Sequence, residues 1–129
     1  MVKAIRLKNN KYGNKIIRVG ENKFDSKLEM YCFNMMKQIG INFKFQDKIV
    51  LVESFKYNGK GIREIALIVD FVLERNGVTY YIDTKGFATD TSTIKYKMLK
   101  NKLKDNIYTD VVWLKNQKEV QSFINKLII

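Results

Sequence analysis

The sequence predicts an α/β chain built on a mixed β-sheet with helices on both faces, in the order α-β-β-β-α-β-α. Two runs of β-branched and aromatic residues flank Asn76-Gly77, a dipeptide that accepts φ > 0 at both central positions of a type I′ hairpin turn. Apolar residues recur at helical spacing in three separate segments, over 26–39, over 93–104 and after Asn116. A short apolar run at 110–114 stands between the last two, so a helix leads from the hairpin to a further strand.

In chain order, residues 1–14 are basic, polar and weakly patterned, and predict a mobile basic arm or an irregular edge strand. Residues 15–19 suit a short strand, and Gly20-Glu21-Asn22 a turn before Phe24. Over 26–39, Leu28, Tyr31, Cys32, Met35, Met36 and Ile39 fall at i, i+3, i+4, i+7, i+8 and i+11, an amphipathic helix closed by Gly40. Glu29 projects to the rim of that stripe. It also ends the capping box Ser26-Lys27-Leu28-Glu29, in which it bonds back to the Ser26 amide. A cap and a functional carboxylate both fit this residue.

Phe43 and Phe45 alternate with polar residues and 48–55 is β-rich, which predicts one or two strands before a turn at 57–61 bracketed by Gly59 and Gly61. Residues 62–74 form the long strand entering the hairpin, and their apolar middle at 65–73 predicts burial on both faces. Thr89-Asp90-Thr91-Ser92 supplies N-cap residues for a helix over 93–104. Ile94, Met98 and Leu99 are expected inward, with Tyr96 among the lysines on the remaining surface. Residues 110–114 read as a buried strand, and Asn116 to Glu119 cap a last helix with Val120, Phe123, Ile124 and Leu127 inward.

The Asn76-Gly77 turn sets a register with chemical consequences. If Arg75 pairs with Val78, Phe71 meets Ile82 and Asp70 meets Asp83, as a non-hydrogen-bonded pair with Cα atoms about 4.5 Å apart. Lys85 shares their face by alternation, while Phe71, Ile82 and Thr84 take the other. Like charges directly opposite repel, and burying an ionised carboxylate is costly unless it is paired or bound to metal. A bound cation removes both penalties. The plainer reading is that Lys85 alone neutralises the pair, or that a bulge turns one Asp to water.

Lys and Arg number 24 against 13 Asp and Glu, for a net charge of +11. This favours a polyanionic partner, nucleic acid before an acidic membrane surface. The 129 residues hold no Pro and no linker-like stretch, which suits a single domain over 1–129. No apolar run approaches a spanning helix and the N-terminus is charged, so the chain reads as cytoplasmic. With one Cys and no His, an internal disulfide, a zinc finger and hydrolases relying on a His base are excluded. Chemistry must rest on carboxylates, Lys, Tyr or a hard metal ion. The lysines at 95, 97, 100, 102 and 104 crowd one helix directly after the Asp-Lys ribbon, and phosphate contact is expected there.

Three strings, F-D-S-K-L-E at 24–29, I-R-E-I-A-L-I-V-D-F at 62–71 and I-D-T-K-G-F at 82–87, together resemble the PD-(D/E)XK nuclease superfamily. The likeness covers nearly all of the chain from Phe24 onward. It is similar to the small phage-encoded branch, relatives of Holliday-junction resolvases and of the endonuclease subunit of Tn7-type transposases. The resemblance implies a restriction-endonuclease-like sheet and Mg²⁺ (or Mn²⁺) as cofactor. It makes Asp70 and Asp83 metal ligands, Lys85 the motif lysine and Glu29 a helix-borne acid. Val69 replaces the family's proline before the first Asp, and Asp83 fills a slot often held by Glu, shortening the ligand arm. The expected activity is DNA phosphodiester hydrolysis, selective for branched DNA because no helix-turn-helix, finger or inserted reading domain remains for base readout. A homodimer is expected, with Lys95, Lys97, Lys100 and Arg63 on the DNA, in the bacterial host cytoplasm for a phage protein. The rivals are a silent basic DNA-binding module, an RNA-directed or structural phage protein, and a general nickase.

Overall fold

The computed structural model describes residues 4–9 and 15–129. In chain order the elements are β1 (Ala4–Asn9), β2 (Lys15–Val19), β3 (Asn22–Phe24), α1 (Lys27–Gln38), β4 (Lys44–Val52), β5 (Phe55–Tyr57), β6 (Lys60–Ile62), β7 (Ile65–Arg75), β8 (Val78–Thr84), α2 (Asp90–Leu103), β9 (Thr109–Leu114) and α3 (Gln117–Leu127). The chain is thus mixed α/β. Its described residues gather into two compact units: one takes those up to Ile41 with Thr84–Gly86 and Leu114–Ile129, the other Asn42–Asp83 with Phe87–Trp113.

In the first unit, β1, β2 and β3 form an antiparallel sheet in sequence order. Residues 4–9 of the expected basic arm are its edge strand, with a register shift between Ala4 and Arg6; the rest of the arm lies outside the described residues. Helix α1 packs against β3 and α3. It begins where Ser26 Oγ accepts the Glu29 amide at 3.0 Å, and ends with Gly40 at φ +79. The Gly40 amide bonds to the Lys37 carbonyl and the Ile41 amide to that of Met36, the two reverse bonds of a Schellman ending that the left-handed glycine permits. The buried side chains of α1 are Glu29, Cys32 and Met36. The stripe is therefore turned from the expected one: Ile39 is exposed, and Glu29 is at the centre of the buried face.

The second unit is built on a four-stranded sheet in the order β4-β7-β8-β9. Pairs β4/β7 and β7/β8 are antiparallel. The β8/β9 pair advances in one direction on both strands, from Thr79 N–H to Tyr108 O at 2.8 Å to Lys85 N–H to Leu114 O at 3.1 Å, so it is parallel and the sheet mixed. Helix α2 connects the two parallel strands and packs on β4 and β7. Leu67, Val69, Tyr96 and Leu99 form the core there, flanked by Ile49, Leu51, Val72 and Trp113. Phe71 is buried against Phe43 and Phe45, each with ring centroids 5.4 Å away. Fully burying an aliphatic or aromatic side chain of this kind stabilises by about 1.5–3 kcal/mol.

The long strand differs from the sequence reading in two ways. It begins at Ile65, not Ile62, because 55–62 fold back as a separate two-stranded ribbon, β5–β6, around Asn58-Gly59. Its burial alternates through Leu67, Val69, Phe71 and Leu73, with Ile65 and Ile68 exposed. Only Val69-Asp70-Phe71 is buried at three consecutive positions, and Ile82-Asp83-Thr84 matches it on β8. Two-sided burial is thus concentrated at the two carboxylates. No helix among the described residues is long and apolar enough to cross a membrane.

Candidate functional site

Asn76 and Gly77 have φ of +54 and +81, the left-handed conformation a type I′ turn requires. From this turn the β7/β8 register runs Arg75↔Val78, Glu74↔Thr79, Leu73↔Tyr80, Val72↔Tyr81 and Phe71↔Ile82. The paired register ends there, and the next residues outward are Asp70 on β7 and Asp83 on β8, each adjacent to the last rung. Asp70 is 7 % exposed and Asp83 2 %. Two carboxylates this buried on neighbouring strands are held apart from bulk water, the condition under which like-charge repulsion is least screened.

A third group joins them from α2. Tyr96, expected on the lysine face, is 5 % exposed and packs with Leu67, Val69 and Leu99. Burial first, then the charges of Asp83 and Asp70 and a hydrogen-bonding approach to Asp83, push its phenol far above the ordinary range, so it stays protonated. That approach falls short of a complete bond, since Tyr96 Oη reaches no acceptor at good distance and angle among the described residues. Helix α2 is rotated from its expected setting: Ser92, Tyr96 and Leu99 are buried and Ile94 is 59 % exposed. The cap holds that rotation, with Thr89 Oγ1 accepting the Ser92 amide at 3.1 Å and Ser92 Oγ accepting the Thr89 amide at 3.0 Å.

Gln46 on β4 is a further residue that sequence reasoning passed over. Phe45 pairs with Phe71 and Asp47 with Val69, which leaves Gln46 at the register position of Asp70. Its φ is +53, an uncommon conformation for a non-glycine residue and one that concentrates at functional sites. No periodicity marks such a residue. Tyr96 did leave a signal, because Ser92, Tyr96 and Leu99 fall at i, i+4 and i+7.

The other expected site residues are placed as follows. Lys97, Lys100 and Arg63 are exposed and Lys95 is half-buried, all within the second unit. The chain passes between units after Asp83, so Lys85 is described with the first, where its amide bonds to the Leu114 carbonyl. Glu29, also in the first unit, is 1 % exposed. Its Oε1 accepts the Asp25 amide at 2.8 Å, one residue upstream of the expected Ser26 amide. Among the described residues, no group of three or more His, Cys, Asp or Glu side chains is arranged to hold a metal ion.

A family match runs over residues 9–121. The chain belongs to that family, described as protein of unknown function (DUF1064). Glu29, Gln46, Asp70, Asp83, Lys85 and Tyr96 all fall inside the matched region. Compared with the curated proteins and with the solved structures, the chain matches none of them.

The donor set at Asp70 and Asp83 fits a hard divalent cation. Mg²⁺ is commonly held by only one or two carboxylates, with water and substrate phosphate completing its shell. The chain has no His and its one Cys is not part of this pair, so the softer sites of zinc or copper find no ligands here.

Proposed function

We propose that the protein is a metal-dependent endodeoxyribonuclease with a restriction-endonuclease-like fold, selective for branched DNA. The observation that carries this reading is the pair of buried carboxylates next to the last rung of the β7–β8 hairpin, in a +11 chain. Asp70 and Asp83 would hold Mg²⁺ or Mn²⁺, which when bound supplies charge neutralisation and an activated water for phosphodiester hydrolysis. Tyr96 would turn its protonated hydroxyl toward the Asp83 carboxylate and orient it as a ligand. Lys97 and Lys100 on the exposed side of α2, with Lys95 beside them and Arg63 before β7, hold phosphates. The resemblance gives Lys85 the attacking water or the scissile phosphate, and Glu29 a charge-dependent part in cleavage. The deciding experiment incubates the protein with supercoiled, linear, single-stranded and four-way-junction DNA in Mg²⁺, Mn²⁺, Ca²⁺ or chelator. Binding without metal-dependent strand scission in any of them would establish the silent DNA-binding module instead.

Tyr96→Phe is expected to leave the melting temperature nearly unchanged, since a buried hydroxyl lacking a complete hydrogen bond adds little to stability. The Mg²⁺ concentration for half-maximal cleavage should rise about 10–100-fold, the usual cost of removing a group that orients a ligand. Trp113 is the chain's one Trp and its ring centroid lies 5.7 Å from that of Tyr96, so its fluorescence reports metal binding without turnover. Unchanged metal titrations by both readouts remove Tyr96 from the site.

One domain of this size with one site cuts one strand, so symmetric resolution of a junction requires two copies about a two-fold axis. A homodimer is expected to bind four-way DNA more tightly than duplex of the same length. Affinity should fall steeply with salt while the junction-to-duplex ratio persists, because phosphate contacts carry charge but little sequence information. Light scattering with gel shifts over junction, fork and duplex tests this. A strict monomer with equal affinity for all three is a general nickase.

A further inference from the structure

The β5–β6 ribbon has no place in the chemistry above. Residues 55–62 are all exposed, and among the described residues the two strands pair only with each other. A two-stranded hairpin on its own is marginal in water, and this one is not even covered on one face. Its register is Phe55↔Ile62, Lys56↔Gly61 and Tyr57↔Lys60. Alternation therefore sets Phe55, Tyr57, Lys60 and Ile62 on one face and Lys56 on the other, opposite a glycine. Phe55 is 49 % exposed and Tyr57 66 %. A patch of two aromatic rings and an Ile, bordered by lysines and raised on a ribbon, marks an interaction surface.

We propose that this ribbon holds unpaired bases of DNA, with Phe55 and Tyr57 as stacking platforms and Lys56 and Lys60 on the neighbouring phosphates. The proposal deepens the nuclease reading and rests on it for the choice of DNA. The eight residues of the ribbon contain two lysines and no acid, and Arg63 follows directly. A second copy of the chain is the poorer occupant: it too carries +11, and lysines on an edge strand oppose strand-to-strand pairing. Rings two residues apart on one face are separated by about 7 Å, roughly twice the 3.4 Å rise per nucleotide of a stacked strand. That leaves room for one base between them. A closed duplex offers no base face to such rings, whereas a gap, flap or open junction does. The ribbon leads directly into β7, whose Asp70 lies five residues, about 17 Å, beyond the strand's first residue. Opened bases and the bond to be cut would thus be read by one continuous segment.

The test is fluorescence anisotropy in chelator, using the full chain carrying Asp70→Asn so that nothing is cut, with a gapped duplex and a continuous duplex of equal length. Phe55→Leu with Tyr57→Leu keeps apolar bulk and removes the π faces, and Tyr57→Leu alone serves if the pair lowers the melting temperature. The parent should prefer gapped DNA, and the Leu variants should lose roughly 10-fold or more of that affinity with duplex binding held within twofold. Lys56→Ala with Lys60→Ala should weaken both DNAs and reduce the salt slope by about 2. Equal binding of both DNAs by parent and Leu variants overturns the proposal. So does a parent dimer that the Leu substitutions convert to monomer, which makes the face an interface between copies. Gap preference that depends on the rings in a protein that never cleaves removes the nuclease reading and leaves the ribbon's role intact.

Discussion

Asp70→Asn is expected to lower cleavage by about 10²–10³-fold or more while leaving the metal-free protein as stable as wild type or more stable. The two halves of that result have one cause. Asp70 and Asp83 stand one residue beyond the Phe71↔Ile82 pair, each in the middle of three consecutive buried residues. In the absence of a cation, the fold brings two buried carboxylates onto neighbouring strands, and like charges directly opposite on an ordinary sheet surface oppose folding by about 0.2–1 kcal/mol. Asn keeps the shape and the hydrogen-bonding capacity and removes one charge. With metal present the sign reverses, because the wild type gains binding free energy that the variant has lost. Thermal melts of both proteins in chelator and in Mg²⁺ therefore form a two-by-two comparison. The wild type should rise on adding Mg²⁺ and the variant should not. A variant that melts well below wild type in chelator would instead identify Asp70 as the acceptor of a structural ion pair, and the catalytic reading of the hairpin would go with it.

What the sequence makes legible follows from the range of the interactions. The hairpin register is legible because Asn76-Gly77 is a local signal and a two-residue turn dictates the pairing outward from it, here as far as Phe71↔Ile82. The same dipeptide at Asn58-Gly59 reads only as part of a turn, since its arms, Phe-Lys-Tyr and Lys-Gly-Ile, are three residues long and too short to establish a period. The sequence sets Tyr96 on the lysine face for a different reason. Lysines occupy so many positions of α2 that two apolar stripes compete, Ile94-Met98 and Tyr96-Leu99, and the packing of α2 on β4 and β7 selects the second. Gln46 was invisible: its left-handed backbone answers to its position between Phe45 and Asp47 on a strand whose partner is more than twenty residues away.

Glu29 is the residue for which the structure sharpens the question, and Glu29→Gln separates the answers. Its carboxylate is fully buried and accepts the Asp25 amide, while Ser26 Oγ accepts Glu29's own amide, so both halves of the helix start run through this residue. Glu119 does the same at α3, accepting the Lys115 amide at 2.9 Å while Asn116 Oδ1 accepts its amide, but Glu119 lies in a far less buried position. A cap alone explains the bond to Asp25, and a neutral acceptor of the same reach would serve that bond as well. Gln retains a carbonyl acceptor of the same reach. Glu29→Gln is therefore expected to lose no more than about 1 kcal/mol, the difference between a charged and a neutral hydrogen bond. Glu29→Ala should lose about 1–3 kcal/mol by stranding the Asp25 amide. Cleavage by Glu29→Gln should nonetheless fall by about 10–100-fold or more, because the charge that the resemblance ties to catalysis is gone. Urea unfolding gives the stabilities and a Mg²⁺ titration of cleavage the activities. If Glu29→Gln cleaves within a few fold of wild type while Glu29→Ala unfolds early, Glu29 belongs to the helix end alone.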